Sequence, residues 1–550
     1  MNKNSLIFGG LLLTAGLIQA SYAVAEDEEH FHIQRFAVEG NTLLSAPQVL
    51  ALTAPYTGQN RVYGDVQRAL EALEGAYRSA GYQTVRINVP EQELTQGVVR
   101  FVVTEAVIGK ITVGGNQHFS EANVRAALPA LQEGQAPNAR LLSENIQLAN
   151  DNPARQLNVT LSVGTDARHI DAKVAVSDEP PQKIIATLDN TGSAATGRLR
   201  TGLAWQQAHL LQTDQTLTLA YTTSPDAPEG VRVNVYSATY HLPIYALGDS
   251  LDLLYGNSSI NAPSVQTTGF GLAGKGSVAL LRYNHYFPRQ GEFSNKLSLG
   301  YEHKYFNTRC SIGGVEQPIN PPVAAVPACT PYTTRLLGAT YAGQWQTATQ
   351  SADYQLALAT NLPTGSRYLY QGALDRYSQI ANRAVPDHFT LLRLGGSYTT
   401  TLPAHWQARA ALSGQYSPHG LVAGEQFSLA GSNAVRGFGE RVVTADQGHL
   451  LNLEIYTPEL ASWLGLPGNL RALAFYDLAR GRNIGVQNPA TATPATAAHL
   501  GIAAGGLGVR YNLRKTFSLR ADVANVTKAG PVGTEERGDW SGHASIVLSY

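Results

Sequence analysis

Two hydrophobic periods divide the chain. Up to about residue 180, short apolar runs alternate with stretches whose apolar positions recur every three to four residues. In "YGDVQRALEALEGAYRSAGY" these positions are Val66, Leu70, Leu73 and Tyr77, the spacing of one helical face. Beyond Pro181 that period is lost, and runs of roughly ten residues alternate between apolar and polar positions, the per-segment signature of a transmembrane β-barrel strand. "TLTLAYTT" puts Leu217, Leu219 and Tyr221 on one face. "VRVNVYSATY" puts Val231, Val233, Val235 and Ser237 on one face, with Arg232 and Asn234 on the other, and "LRADVANV" repeats the pattern near Leu519.

Candidate strands fall near residues 183, 198, 215, 231, 249, 276, 295, 333, 352, 388, 405, 448, 470, 500, 515 and 542. That makes sixteen, and single-chain bacterial barrels have even numbers. The long links, 258–275, 306–332, 361–386, 416–447 and 482–499, all follow odd-numbered strands. Links after even-numbered strands are mostly short ("LPAH", "NLRKT"), with "PELASWLGLPGN" the longest. Long loops at one end and short turns at the other are what a barrel in an outer membrane shows. The barrel is expected over 183–550.

The segment before it repeats. "FAVEGNTLLS" (Phe36–Ser45) aligns with "ITVGGNQHFS" (Ile111–Ser120) at a spacing of 75 residues. Each gives an apolar strand, a Gly-Asn turn and a serine suited to cap a helix. Helical runs follow, "SAPQVLALTAPY" and the long helix above in one copy, "SEANVRAALPAL" and "NARLLSENIQLAND" in the other. Two strand-like runs close each copy: "TVRINVP" and "GVVRFVVTEA", then "RQLNVTLSVG" and "DAKVAVSD". Two β-α-α-β-β domains, 31–106 and 107–180, are therefore expected ahead of the barrel.

Composition narrows the setting. Lys3, the apolar run Leu6–Ile18 and the small-residue triplet Ala23-Val24-Ala25 read as a secretory signal over 1–25. Lys+Arg 40 against Asp+Glu 41 leaves no basic excess for nucleic acid. Cys310 and Cys329 flank the Gly/Pro-rich "SIGGVEQPINPPVAAVPA". In an oxidising compartment a bridge there would stabilise the loop by about 3 kcal/mol; two free thiols are the alternative. The charged start "EDEEHFH" (Glu26–His32) offers two histidines at i, i+2 without further ligands, so no metal site is expected. No nucleophile–base set and no phosphate loop in strand-to-helix context is present. No catalytic residue and no cofactor are expected.

One stretch carries more specific information. "GEQFSLAGSNAVRGFGE" places Arg436 among glycines and apolar residues in the link 416–447, the sixth extracellular loop by strand parity. Val435, Arg436, Gly437 and Phe438 resemble the V-R-G-Y/F motif of TpsB transporters of two-partner secretion, the ShlB/FhaC/HecB family. "LDNTGSAATG" (Leu188–Gly197) and "FYDLARG" (Phe475–Gly481) extend the resemblance, and the two repeats resemble POTRA domains. The resemblance implies that the sixth loop folds into the lumen, with Arg436 meeting Asp477 on strand thirteen. It also implies an outer-membrane protein among lipid, with POTRA domains in the periplasm that bind a secreted TpsA-type exoprotein of haemolysin or adhesin type. The closing "SIVLSY", ending in Tyr550, resembles the signal read by the barrel-assembly machinery.

Two departures bear on mechanism. The family's strand-thirteen motif is F-x-D-x-G, and here Ala479 occupies the glycine position, with Gly481 two residues later. Only Glu26–His30 separate the signal from the first repeat, too few for the plug helix of many members. An assembly factor of the BamA/TamA type shares the loop motif and the POTRA fold but carries more repeats. A porin would share the barrel without them.

Overall fold

The computed structural model describes residues 29–550 apart from 94, 167, 260–275, 308–310, 313–314, 317–318, 321–322, 325–329, 365–375 and 487–496. The signal segment 1–25 and both cysteines, Cys310 and Cys329, lie outside the described residues. Two compact units result, one ending at Glu105 and one running from Ala106 to Tyr550.

The first unit contains β1 (Phe31–Ile33), β2 (Arg35–Glu39), α1 (Ala46–Thr53), β3 (Gly58–Arg61), α2 (Tyr63–Ser79), β4 (Arg86–Asn88) and β5 (Val98–Thr104). Its sheet runs β2-β5-β4, with β2 and β5 parallel and β4 antiparallel to β5. On α2, Val66, Ala69, Leu73 and Tyr77 are buried and Leu70 is half-buried, packing against Phe101 and Val99 of β5. Full burial of a Leu or Phe contributes about 1.5–3 kcal/mol, so this face stabilises the unit. The small sheet β1-β3 lies outside the repeated pattern.

The same order recurs at the start of the second unit: β6 (Val107–Gly114), α3 (Glu121–Ala126), α4 (Ala139–Ala149), β7 (Arg155–Val163) and β8 (His169–Asp178), in a sheet β6-β8-β7. The repeated glycine has a physical cause. Gly40 and Gly115 have φ of +80° and +91°, and a Cβ on them would lie 2.4 and 2.3 Å from the carbonyl oxygens of Val103 and Val176. The following loop is held in each copy by an acidic residue from the sheet. Glu105 accepts the Thr42 and Leu43 amides, and Asp178 accepts those of Gln117, His118 and Phe119.

The rest of the second unit is a closed antiparallel barrel of sixteen strands, each within a few residues of its expected place. In order they are Gln182–Asp189, Arg200–Leu210, Gln215–Thr223, Asn234–Ile244, Asp249–Ser258, Gly276–Tyr286, Phe293–Phe306 and Tyr332–Gln346. The second half is Gln350–Asn361, Thr390–Thr401, Gln407–Tyr416, Gln447–Tyr456, Asn469–Arg482, His499–Leu513, Phe517–Lys528 and Trp540–Ser549. Strand 16 closes onto strand 1 from Ser545↔Asp189 to Ser549↔Ile185. On strand 3 the alternation holds: Leu219 is exposed on the outer face, while Thr216, Thr218 and Thr222 are buried inside. On strand 4 the face of Val235 and Ser237 is the inner one, with Val235 buried and Tyr236 exposed outside opposite Tyr221. Strand 4 begins only at Asn234, so Val231 and Val233 precede the ladder; Val233 is buried there nonetheless. Among the described residues no helix is long and apolar enough to cross a membrane.

The α+β part of this unit docks on the short-turn end of the barrel through a buried ion pair. Arg155 at the start of β7 donates to both oxygens of Asp214 in the first turn, at 3.1 and 2.5 Å. It also donates to Asn123 at 2.5 Å and to the Tyr245 hydroxyl of the second turn, and it stacks over Phe119. Gln147 reaches the Phe287 carbonyl at 2.6 Å in the third turn. Lysine cannot reproduce a two-pronged contact with one carboxylate. Arg155→Lys should therefore cost about 1–3 kcal/mol, read as faster cleavage of the 106–181 segment by protease while the barrel stays resistant.

Candidate functional site: the sixth loop in the lumen

The sixth loop, between strands 11 and 12, enters the barrel as a short hairpin in which Phe427–Ser428 pairs with Thr444–Ala445. Its tip turns at Gly431 (φ +131°) and Gly437 (φ +102°). Gly439, by contrast, has no positive φ; its amide donates to Glu535 at 2.8 Å. Val435 and Phe438 are fully buried among Leu429, Ala504, Ala524 and Val526, an apolar cluster that seats the tip against strands 14 and 15.

Arg436, 2% exposed, is the polar centre of that contact. Its Nε and Nη2 donate to the two oxygens of Asp477 on strand 13, at 2.7 and 2.8 Å, and its own amide donates to the same carboxylate at 3.1 Å. Nη1 donates to Glu454 on strand 12 at 2.8 Å and lies 3.6 Å from Asp522 on strand 15. The guanidinium stacks 3.5 Å over the Phe475 ring. Asn452 donates to both Asp477 and the Ala434 carbonyl, tying acceptor and loop together.

Three further arginines surround these carboxylates. Arg409 donates to Glu454, Arg510 and Arg520 donate to Asp522, and Arg520 also holds the Ser432 carbonyl and Asn433 of the loop. Four cations thus face three carboxylates, and each carboxylate has at least one charge-assisted partner. Glu454 and Asp522 were missed from sequence. Their signal is an acidic residue at an inward position of an alternating strand, in "LLNLEIY" and "LRADVANV".

Ala479 in place of the glycine does not hinder close packing. Its methyl is buried in the apolar cluster, and the close approach occurs one inward position further along. A Cβ on Gly481 would lie 2.6 Å from Ala445 and 2.7 Å from Leu429 of the loop. Gly481 is paired in register with Gly448, where a Cβ would meet Phe427 at 3.0 Å. At Gly437 the conformation itself is restrictive. Gly437→Ala would force an L residue to φ +102° with its methyl 3.2 Å from Ala504, at a cost of about 1–2 kcal/mol. Secretion by G437A should fall while heat-modifiable migration of the folded barrel persists.

A second anchorage lies toward the long-loop end. Asp446, fully buried, accepts from both Arg383 terminal nitrogens at 2.6 and 2.7 Å, from the Leu421 and Ile484 amides, and from Gln426. Arg383 also donates to the Leu421 and Ile484 carbonyls, so it joins the fifth, sixth and seventh loops. Beside it, Glu425 accepts from Lys304, Thr334 and Arg393. Phe306, Tyr332, Tyr377, Phe389, Leu421 and Val422 pack above as an apolar cap. None of these pairs was legible: Arg383 and Asp446 lie on different loops, and Glu425, also on a loop, meets residues of strands 7, 8 and 10.

On the other side of the tip lies a cavity of about 1360 Å³. Its wall includes Gln156, Asn158 and Leu161 of β7 as well as Ser432, Arg436 and Glu454. Tyr550, at the end of the last strand, exchanges backbone hydrogen bonds with Ile184 at 2.8 and 2.9 Å, and its side chain is fully exposed. Among the described residues no group of three or more His, Cys, Asp or Glu could hold a metal ion. What the lumen offers is a loop held by charge and packing across a pore.

Comparison with known proteins agrees with this geometry. Residues 169–510 match the family model "Haemolysin secretion/activation protein ShlB/FhaC/HecB", and residues 31–106 match "POTRA domain, ShlB-type". The chain is 21% identical over 435 residues to the heme/hemopexin transporter protein HuxB of Haemophilus influenzae, covering 78% of this chain and 71% of HuxB. It is 22% identical over 463 residues to the outer membrane transporter CdiB of Escherichia coli, covering 81% and 72%. The solved structure of CdiB from Escherichia coli superposes with a TM-score of 0.71 at 18% identity, over 97% of this chain and 93% of that one. The family model spans more than half of the chain. The chain therefore belongs to the ShlB/FhaC/HecB family of haemolysin secretion/activation proteins, the TpsB transporters of two-partner secretion in the outer membrane.

Proposed function

We propose that the periplasmic α+β domains capture an unfolded TpsA-type exoprotein and pass it to the barrel, that the seated sixth loop sets the lumenal state that first receives it, and that this loop must then leave its seat for the chain to cross. The observation that carries this reading is the shared cavity: β7 and Arg436 border the same space. Among the described residues β7 pairs only with β8, which leaves an edge for an added strand held by main-chain hydrogen bonds. We assign the POTRA role to both repeats, 31–106 and 107–180, and the gate to Val435, Arg436, Gly437, Phe438 and Asp477. No nucleotide motif is present, so folding of the client outside the cell supplies the direction of movement. Tyr550 is read as the assembly signal for the barrel machinery.

The test compares culture supernatant and outer membranes of a parent strain and a deletion strain by quantitative mass spectrometry. Loss of one large secreted protein with the outer-membrane profile intact is expected and would name the client. A broad fall in other barrel proteins would point instead to an assembly factor.

A further inference from the structure

The turn between strands 12 and 13, residues 457–468, is unlike the other turns at its end of the barrel. Those span three to six residues; this one spans twelve. It is also internally built. The Glu459 carboxylate accepts the amides of Ala461, Ser462 and Leu470 and the Ser462 hydroxyl. The Ser462 hydroxyl first, then these amides, hold the Glu459 carboxyl well below the usual range, at about 2. Leu464 and Leu466 amides close back onto Leu460 and Ala461, and Ala461 is fully buried. So ordered a turn nonetheless presents its apolar side chains outward: Trp463 is 83% exposed, and Leu464 and Leu466 are about half exposed.

The direction in which the turn leans is set by strand 14. Leu507 and Val509 are exposed on the outer face of that strand, and Tyr511 shares their parity. The Tyr511 hydroxyl donates to the Pro467 carbonyl at 2.7 Å, and its ring meets Phe517 at 5.9 Å. The turn is therefore tied to the lipid side of the wall, at a level where Trp406, Tyr511, Phe517 and Tyr550 gather. Trp and Tyr favour that level because their rings are apolar at one end and polar at the other.

We propose that residues 457–468 form a wedge in the periplasmic leaflet, with Trp463, Leu464 and Leu466 seated at the boundary between phospholipid headgroups and acyl chains. The occupant is lipid because the patch continues the outer apolar face of the barrel. The wedge terminates the hairpin of strands 12 and 13, the two strands that supply Glu454 and Asp477 to Arg436.

The test uses the full chain carrying W205F, W345F, W406F and W540F, which leaves Trp463 as the single tryptophan, reconstituted in phosphatidylcholine vesicles. Heat-modifiable migration confirms the folded barrel. The expected result is blue-shifted emission that is lost when the lipid carries bromine near the headgroup end of its acyl chains. Emission like that of hydrated indole, unaffected by bromine, would overturn the proposal. So would a spectrum that is water-like in lipid and shifts only when an exoprotein secretion domain is added, since the patch would then serve the client.

Discussion

Arg436→Ala should abolish most secretion without preventing barrel assembly. Removing the guanidinium leaves Asp477, which is fully buried, with Asn452 as its remaining side-chain donor, and it strips the loop of a contact to each of two strands. Breaking a fully buried pair costs about 3–5 kcal/mol, equivalent to about two to four orders of magnitude in the equilibrium between seated and unseated loop. Solvent entering the neighbouring cavity would lower that figure. Arg436→Lys should restore little, because one ammonium cannot grip both Asp477 oxygens and Glu454 while stacking on Phe475. Secretion titres measured beside outer-membrane levels of the folded protein check this. Normal secretion by R436A would remove the gating role.

Asp446→Ala should act on the pore at rest. Five donors from three loops lose their common acceptor, and Arg383 is left buried without a carboxylate. The same cost of about 3–5 kcal/mol applies to that pair where burial is complete. Here, however, the lumenal contact of Arg436 with Asp477 stays in place. The expected phenotype is a reconstituted barrel with raised ionic conductance in planar bilayers and a secretion defect smaller than that of R436A. Unchanged conductance would make the Arg383–Asp446 contact a local brace only. Comparing D446A with R436A thus separates closure of the outer mouth from seating of the tip.

What was legible in the sequence follows from the range of the forces involved. Barrel strands show themselves because lipid on one side and lumen on the other impose a period of two. The repeat shows itself because Gly40 and Gly115 meet the same steric demand against a strand carbonyl. The pairing of Arg436 with Asp477 came from resemblance, since nothing within either segment points to the other across 41 residues. Glu454 and Asp522 could have been found as charges at inward positions. Arg383–Asp446, Glu425 with its three donors, and Arg155–Asp214 could not, because each has at least one partner on a loop or turn with no period. The glycine that lets the loop approach strand 13 was sought at position 479 and is found at 481, where Leu429 and Ala445 press on the backbone.

The central claim is that the sixth loop must leave its seat for a client to pass, and a reversible staple tests it most directly. Asn452 of strand 12 touches the Ala434 carbonyl at 3.0 Å, so A434C with N452C can be joined by oxidation or by a short bifunctional thiol reagent. Secretion should stop in the joined form and return on reduction to the level of the unjoined double variant, which lacks the Asn452 contacts in both states. Undiminished secretion by the joined form would contradict the account.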